Sequence, residues 1–285
     1  MELTDQQLNF FHKFGYLMIP QLFSPDEMDW IIEEYENVLQ NHAGGDAHDG
    51  SSRTMIVPSY GYSERLCTLL DDHRILGIAS GILGDDFNYG AGDANYYVGN
   101  TRWHPDASWP ELFAIKMTFY LDPMTADTGC LRVIPGSHRI DSYWHKNLDP
   151  DWRNSRNHIN LNDAEAVWGL PPTDIPGSVA IETNPGDLVF FNHTIFHASF
   201  GGGDRRRMFT LNLTKGGKTE AEIARIDQYL TTNCPAAHGF KIGGMYTDIT
   251  IDTATPERLK HMTQLHERHA VVHPNDTVPR ELPTL

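Results

Sequence analysis

The sequence predicts a core of short β-strands, a sandwich, jelly roll or barrel, with α-helices before and after it. Three observations carry that expectation. Between residues 94 and 215, runs rich in β-branched and aromatic residues recur, each broken by Gly, Pro, Asn or Asp: "NYYVGNTRWH", "LFAIKMTFYLD", "CLRVIPGSH", "SVAIETN", "DLVFFNHTIFHASF" and "RMFTLNLT". Residues 1–93 carry helical periodicity and polar loops, and residues 216–285 carry two further helical patterns. A chain of 285 residues is ample for one sizeable core, so residues 1–285 are read as a single domain.

In chain order, "LTDQQLNFF" opens a helix, with Thr4 and Gln7 spaced as a capping box. "GYLMIP" is a short strand ended by proline. Ser24, Pro25 and Glu27 start a second helix, with Met28, Ile31, Ile32, Tyr35, Val38 and Leu39 on its core face. Residues 43–64 are rich in Gly, Asp and Ser and read as a mobile loop, a candidate lid. "RILGIASGILG" is a helix. Residues 141–172, with Trp144, Trp152 and Trp168, read as an irregular insertion between strands. "KTEAEIARIDQYL" and "TPERLKHMTQLHERHA" are the closing helices, followed by a polar tail.

Acidic residues outnumber basic ones by 38 to 22, and the formal net charge is −16. That charge disfavours binding to nucleic acid or an anionic membrane surface. No apolar run approaches the ~18–20 residues of a membrane span. The capped, acidic N-terminus is unlike a signal peptide. Cys67, Cys130 and Cys234 lie far apart without C-x-x-C spacing, which argues against a disulfide scaffold or a cysteine-rich zinc site. A cytoplasmic setting is expected.

The chemistry begins at "RWHPDASW". His104 and Asp106, one residue apart, point the same way only on an extended segment, and Pro105 between them places the pair at a strand end. Alone, such a pair is more often a polar turn than a ligand set. A second source of imidazole is "GDLVFFNHTIFHASF", where His193 and His197 share a face if the strand is unbroken. Spacing does not choose between them. Two histidines and one carboxylate with open positions are the ligand set of non-haem Fe(II) oxygenases.

Four stretches in order resemble the phytanoyl-CoA dioxygenase family of Fe(II)/2-oxoglutarate-dependent oxygenases: "LTDQQLNFFHKFGYLMIPQLFSPDEM", "WHPDASW", "FYLDPMTADTGCLRVIPGSHR" and "GDLVFFNHTIFHASFGGGDRRRMFTLNL". The resemblance implies a double-stranded β-helix (jelly-roll, cupin-like) core with flanking α-helices. It implies His104, Asp106 and His197 as ligands of Fe(II), His197 being chosen because "His-Ala-Ser" matches the family's element. It further implies Arg206, Ser199 and Thr118 as contacts of 2-oxoglutarate, with Arg207 the alternative to Arg206.

The activity implied is hydroxylation of a small molecule by O2, with decarboxylation of 2-oxoglutarate to succinate and CO2. Because family members that halogenate lack the carboxylate ligand, Asp106 argues for hydroxylation. No general base is nominated; the chemistry belongs to the metal centre. Desaturation, epoxidation or cyclisation on the same cofactors is the alternative, and a catalytically silent jelly-roll binding protein or a zinc hydrolase are the other classes. Trp103 and Trp109, more often packing residues, are candidate substrate contacts. With the acidic chain, they suggest a cationic or amine-bearing substrate.

Overall fold

Thr4 accepts from the Gln7 backbone and the Gln7 side chain answers the Thr4 backbone, so the first helix starts on a complete capping box. This opens a computed structural model that describes residues 1–42, 48–109, 111–144, 163–276 and 280–283. Helix α1 (Asp5–Phe14) ends on Gly15 at φ +83°, and strand β1 (Tyr16–Ile19) follows at once. Helix α2 (Pro25–His42) begins on Ser24, whose backbone donates to Glu27 at 2.7 Å; it buries Met28, Ile31, Tyr35, Val38 and Leu39.

Strand β2 (Thr54–Ile56) falls within the stretch expected to be a loop, and Val57, Ser59 and Tyr60 after it are buried. Residues 43–47 of that stretch lie outside the described residues. Helices α3 (Glu64–Cys67) and α4 (His73–Leu83) lead to β3 (Asn88–Tyr89) and β4 (Ala94–Tyr97). Then come β5 (Thr101–His104), β6 (Ala114–Tyr120), β7 (Leu131–Val133), the short helix α5 (Ala164–Trp168), β8 (Val179–Ile181), β9 (Leu188–Asn192), β10 (His197–Ser199) and β11 (Arg206–Thr214). The middle of the expected insertion, with Trp152, lies outside the described residues. Helices α6 (Glu220–Leu230), α7 (Asp248–Asp252) and α8 (Pro256–Val272) close the chain.

The strands form two antiparallel sheets. The larger runs β1-β9-β6-β11-β4-β2, with β3 also on β11; the smaller runs β5-β10-β7-β8. This is the jelly roll. Strands β1, β2 and β3 come from the first 93 residues, so the core starts well before residue 94.

Alternation along the central strands sorts side chains between two environments. Ile115, Met117 and Phe119 of β6, Leu188 and Phe190 of β9, and Phe209, Leu211 and Leu213 of β11 join the helices in the main apolar core. Phe209 stacks on Tyr35 of α2 at 4.2 Å and on Phe119 at 4.7 Å. The intervening residues, among them Lys116, Thr118, Arg206 and Thr210, face the space between the sheets. With one face under helices and the other inside, these strands read as nearly continuous apolar runs. Among the described residues, no helix is long and apolar enough to cross a membrane.

Candidate metal centre

The run "DLVFFNHTIFHASF" is not one strand. It leaves the large sheet after Asn192, turns with Ile195 N–H donating to the Asn192 carbonyl at 3.0 Å, and enters the small sheet at His197. A jelly roll requires a strand path that changes sheets here. His193 and His197 therefore do not share a face. In β10, His197 stands directly opposite His104 of β5, and the two rings lie 4.3 Å apart.

Asp106 follows β5 in a turn tied down by two backbone bonds: its N–H and that of Ala107 both donate to the His193 carbonyl, at 2.8 and 3.0 Å. Its Oδ1 lies 3.7 Å from His104 Nε2 and 3.8 Å from His197 Nε2. One donor atom from each of the three falls within 4.8 Å of the others. The other imidazole nitrogens are engaged: His104 Nδ1 is 2.7 Å from the Arg102 carbonyl, and His197 Nδ1 is 3.1 Å from that of Ile195. A carbonyl accepts only from Nδ1–H, so in the neutral ring the lone pair sits on Nε2, and at both residues Nε2 is the atom nearest Asp106. The donor set thus fits a divalent metal with open positions.

Electrostatics agree. Burial, reinforced by His104, pushes His197 down to about 3 despite Asp106, so it is neutral at working pH. Burial opposes the charge of Asp106, but Lys116, His197, His193 and His104 outweigh it and hold the carboxyl well below the ordinary range. Lys116 is the residue that sequence reasoning missed: its Nζ lies 2.8 Å from Asp106 Oδ2. The one signal was a lysine in an otherwise apolar strand, in phase with Thr118.

Arg206 begins β11 and is 5% exposed. Its Nη1 donates to Ser199 Oγ and, at 3.2 Å, to the Gly129 carbonyl; Nη2 reaches Thr101 Oγ1 at 3.3 Å. Ser199 itself donates to the Gly129 carbonyl at 2.6 Å, so it orients the guanidinium. The side chain runs through space that only glycine leaves free, since a Cβ at Gly129 or Gly202 would meet Nη1. Among the described residues, Nε has no hydrogen-bond partner and no carboxylate pairs with Arg206. Thr118 Oγ1, buried nearby, also has no hydrogen-bond partner. A buried cation without a counter-ion, beside a spare hydroxyl, fits an anionic ligand. Arg207 instead pairs with Asp122 and Glu36, and Arg205 with Glu36.

These groups share one cavity of about 390 Å³, with Tyr97, Tyr120 and Phe191 as its aromatic walls and the Arg53–Asp93 ion pair, 2.5 Å, also in its lining. Neither Trp103 nor Trp109 lines it. Trp103 neighbours His104 in β5 and so projects to the opposite face, where its Nε1 donates to the Pro172 carbonyl at 2.7 Å. Trp109 packs on Phe113 and stacks against His193. His138 does not line it either; its ring is held by the His12 carbonyl at 3.2 Å.

The phytanoyl-CoA dioxygenase (PhyH) family model matches residues 11–208. The chain is 24% identical to the ectoine dioxygenase of Sphingopyxis alaskensis, covering 70% of this chain and 71% of that one. It is 25% identical to the ectoine dioxygenase of Stutzerimonas stutzeri, covering 67% and 69%. Among solved structures it resembles iron-bound EctD from S. alaskensis, with a TM-score of 0.57, 24% identity and coverage of 75% and 77%. It also resembles the α-ketoglutarate-dependent epimerase SnoN of nogalamycin biosynthesis, with a TM-score of 0.56, 17% identity and coverage of 74% and 82%.

Proposed function

The chain belongs to the phytanoyl-CoA dioxygenase family, and we propose that His104, Asp106 and His197 hold its iron and that Arg206 anchors its 2-oxoglutarate. The protein is an Fe(II)/2-oxoglutarate-dependent dioxygenase acting on a small molecule. The observation that carries the residue assignment is one juxtaposition. Two imidazole Nε2 atoms and one carboxylate oxygen converge in the cavity where a buried arginine lacks a carboxylate partner.

Bound at the triad, Fe(II) supplies the oxygen-activating chemistry that couples loss of CO2 from 2-oxoglutarate to substrate hydroxylation. The protein's own contribution is geometric and electrostatic. Asp106 offsets part of the metal's charge, and neutral His197 binds without first releasing a proton. Arg206, held by Ser199 and Thr101, pairs with the far carboxylate of the cosubstrate, and Thr118 supplies a hydroxyl beside it. Phe191 packs against the His197 ring at 4.7 Å, and Tyr120 completes the aromatic wall. The tryptophans that suggested a cationic substrate lie outside the cavity. Asp93, a cavity carboxylate, is already bonded to Arg53, Asn95 and Thr210, so this site lends an amine-bearing substrate no support.

The test is an anaerobic titration of the iron-free protein with Fe(II) and 2-oxoglutarate, followed by its visible charge-transfer band. The band is expected in the native chain and absent in His197→Ala. In Arg206→Ala it forms only at 2-oxoglutarate concentrations raised about 30-fold or more, the cost of removing one member of a buried charge pair. A native protein that gives no band refutes the assignment.

A further inference from the structure

A second group of metal-ligating side chains lies away from the triad, where α6 and α8 end together. Cys234 sits just after α6; His269 lies in the last turn of α8, His273 is its C-cap, and Asp276 is in the turn beyond. Spacing of i, i+4 puts both histidines on one side of the helix. Donor atoms of Cys234, His269 and His273 all lie within 4.8 Å of one another. Cys234 Sγ is 3.4 Å from His273 Nε2, and His269 Nε2 is 3.4 Å from Asp276 Oδ2. Ligands of one tetrahedral zinc, with bonds of ~2.0–2.3 Å, stand roughly 3.3–3.7 Å apart.

Hydrogen bonds alone account for only half of this cluster. Cys234 and His273 face each other, and His273 Nε2 is also 2.9 Å from the Leu230 carbonyl. His269 is different: its side chain is 0% exposed, and neither ring nitrogen has a hydrogen-bond partner. Asp276 Oδ2 is likewise buried without one. With Nδ1 unsatisfied and Nε2 met only by the off-line approach of Asp276 at 3.4 Å, this interior imidazole is costly, and it points to a ligand.

We infer that Cys234, His269 and His273 form a second metal site, a structural zinc site that fastens α8 to the end of α6, with Asp276, now facing only His269, turning in as the fourth ligand. The donor chemistry selects the ion: thiolate and imidazole suit zinc, whereas magnesium and calcium take oxygen ligands. One thiolate and one carboxylate balance two positive charges, so a buried site carries no net charge. Three donors already converge, and the Asp276 carboxylate would close the shell, as in structural rather than catalytic zinc. On binding, His273 exchanges its hydrogen bond with Leu230 for the metal. The consequence reaches the active site, because Thr232 and Asn233, immediately before Cys234, line the catalytic cavity. The zinc would hold that part of the wall in place.

The experiment uses the full chain with the iron site disabled by His104→Ala and Asp106→Ala, so that metal cannot be counted at the triad. Elemental analysis after exhaustive desalting is expected to find about one zinc per chain. Cobalt(II) in its place should give a near-ultraviolet thiolate-to-metal band. Cys234→Ser should abolish the band, and Asp276→Asn, at a position partly open to solvent, should weaken zinc by about 10-fold while leaving the far-ultraviolet circular dichroism unchanged. Absence of stoichiometric zinc and of any cobalt band in the parent would overturn the inference, as would a thiolate band that persists in Cys234→Ser. Either result leaves the triad assignment untouched, since that site is removed from the experiment.

Discussion

The Asp106 carboxylate is held from two sides: Oδ2 by Lys116 at 2.8 Å, while Oδ1 faces the Nε2 atoms of His104 and His197 at 3.7 and 3.8 Å. Such a lysine would fix which oxygen a metal at the proposed triad meets and keep the other from turning toward it. Groups that orient metal ligands typically contribute 10–100-fold to metal affinity. Lys116→Met keeps most of the stem's volume and removes the charge, so ferrous ion is expected to bind about 10-fold more weakly. Equilibrium titration under anaerobic conditions measures this. An unchanged or tighter constant would mean that the lysine does not position the ligand. Glycine matters at this scale too: the "GGG" run reads as a plain turn, yet Gly202 is where the Arg206 guanidinium needs room.

Among the elements, the helices were the most legible, because caps and periodicity are local signals. Thr4–Gln7 and Ser24–Glu27 close where their spacing predicts. At α6, Thr219 accepts from the Glu222 backbone and the Glu222 carboxylate returns to the Thr219 N–H at 2.9 Å. Thr219→Ala is expected to cost about 1 kcal/mol in chemical denaturation, with no change in ferrous affinity. A loss of iron binding in that variant would mean that α6 is coupled to the triad more tightly than its position suggests. Strand runs were legible as runs but not as elements. "NYYVGNTRWH" divides into β4 and β5 on different sheets, and "DLVFFNHTIFHASF" into β9 and β10. Each division occurs where the path crosses between sheets, and alternation carries no mark of that crossing.

At the scale of the whole molecule, the interior holds His193 and His197 in their neutral form. Burial pushes His193 down to about 4 and His197 to about 3, below the ~6.5 of an unfolded histidine. Between these values the unfolded chain binds more protons than the folded one, so acid favours unfolding. Their neutral burial is without penalty above about pH 6.5, and the penalty grows as pH falls toward 4. Urea denaturation of the iron-free protein should therefore show stability falling by about 2 kcal/mol per such group between pH 8 and pH 5. His193→Leu is expected to flatten that slope. The depressed carboxylates act in a lower window: Glu27, held at about 2 by its hydrogen bond to Arg74, loses its stabilising contribution only as pH falls from about 4. A pH-independent midpoint above pH 5 would contradict the buried, neutral state of His193.

The chain by itself determined its helices and their caps, the strand-rich centre, and the residues proposed for the triad and its arginine. Each rests on short-range spacing or on a resemblance carried by contiguous stretches. What only tertiary structure decided is how separate segments meet. It set His197 across from His104 and put the ring of Trp103 on the far side of β5. It brought Lys116 to Asp106, and it gathered Cys234 and Asp276 to the two histidines of α8. Period-two alternation says that two side chains share a face and leaves open which face lies inside. Three-dimensional closure of the two sheets, with helices over one of them, settles that.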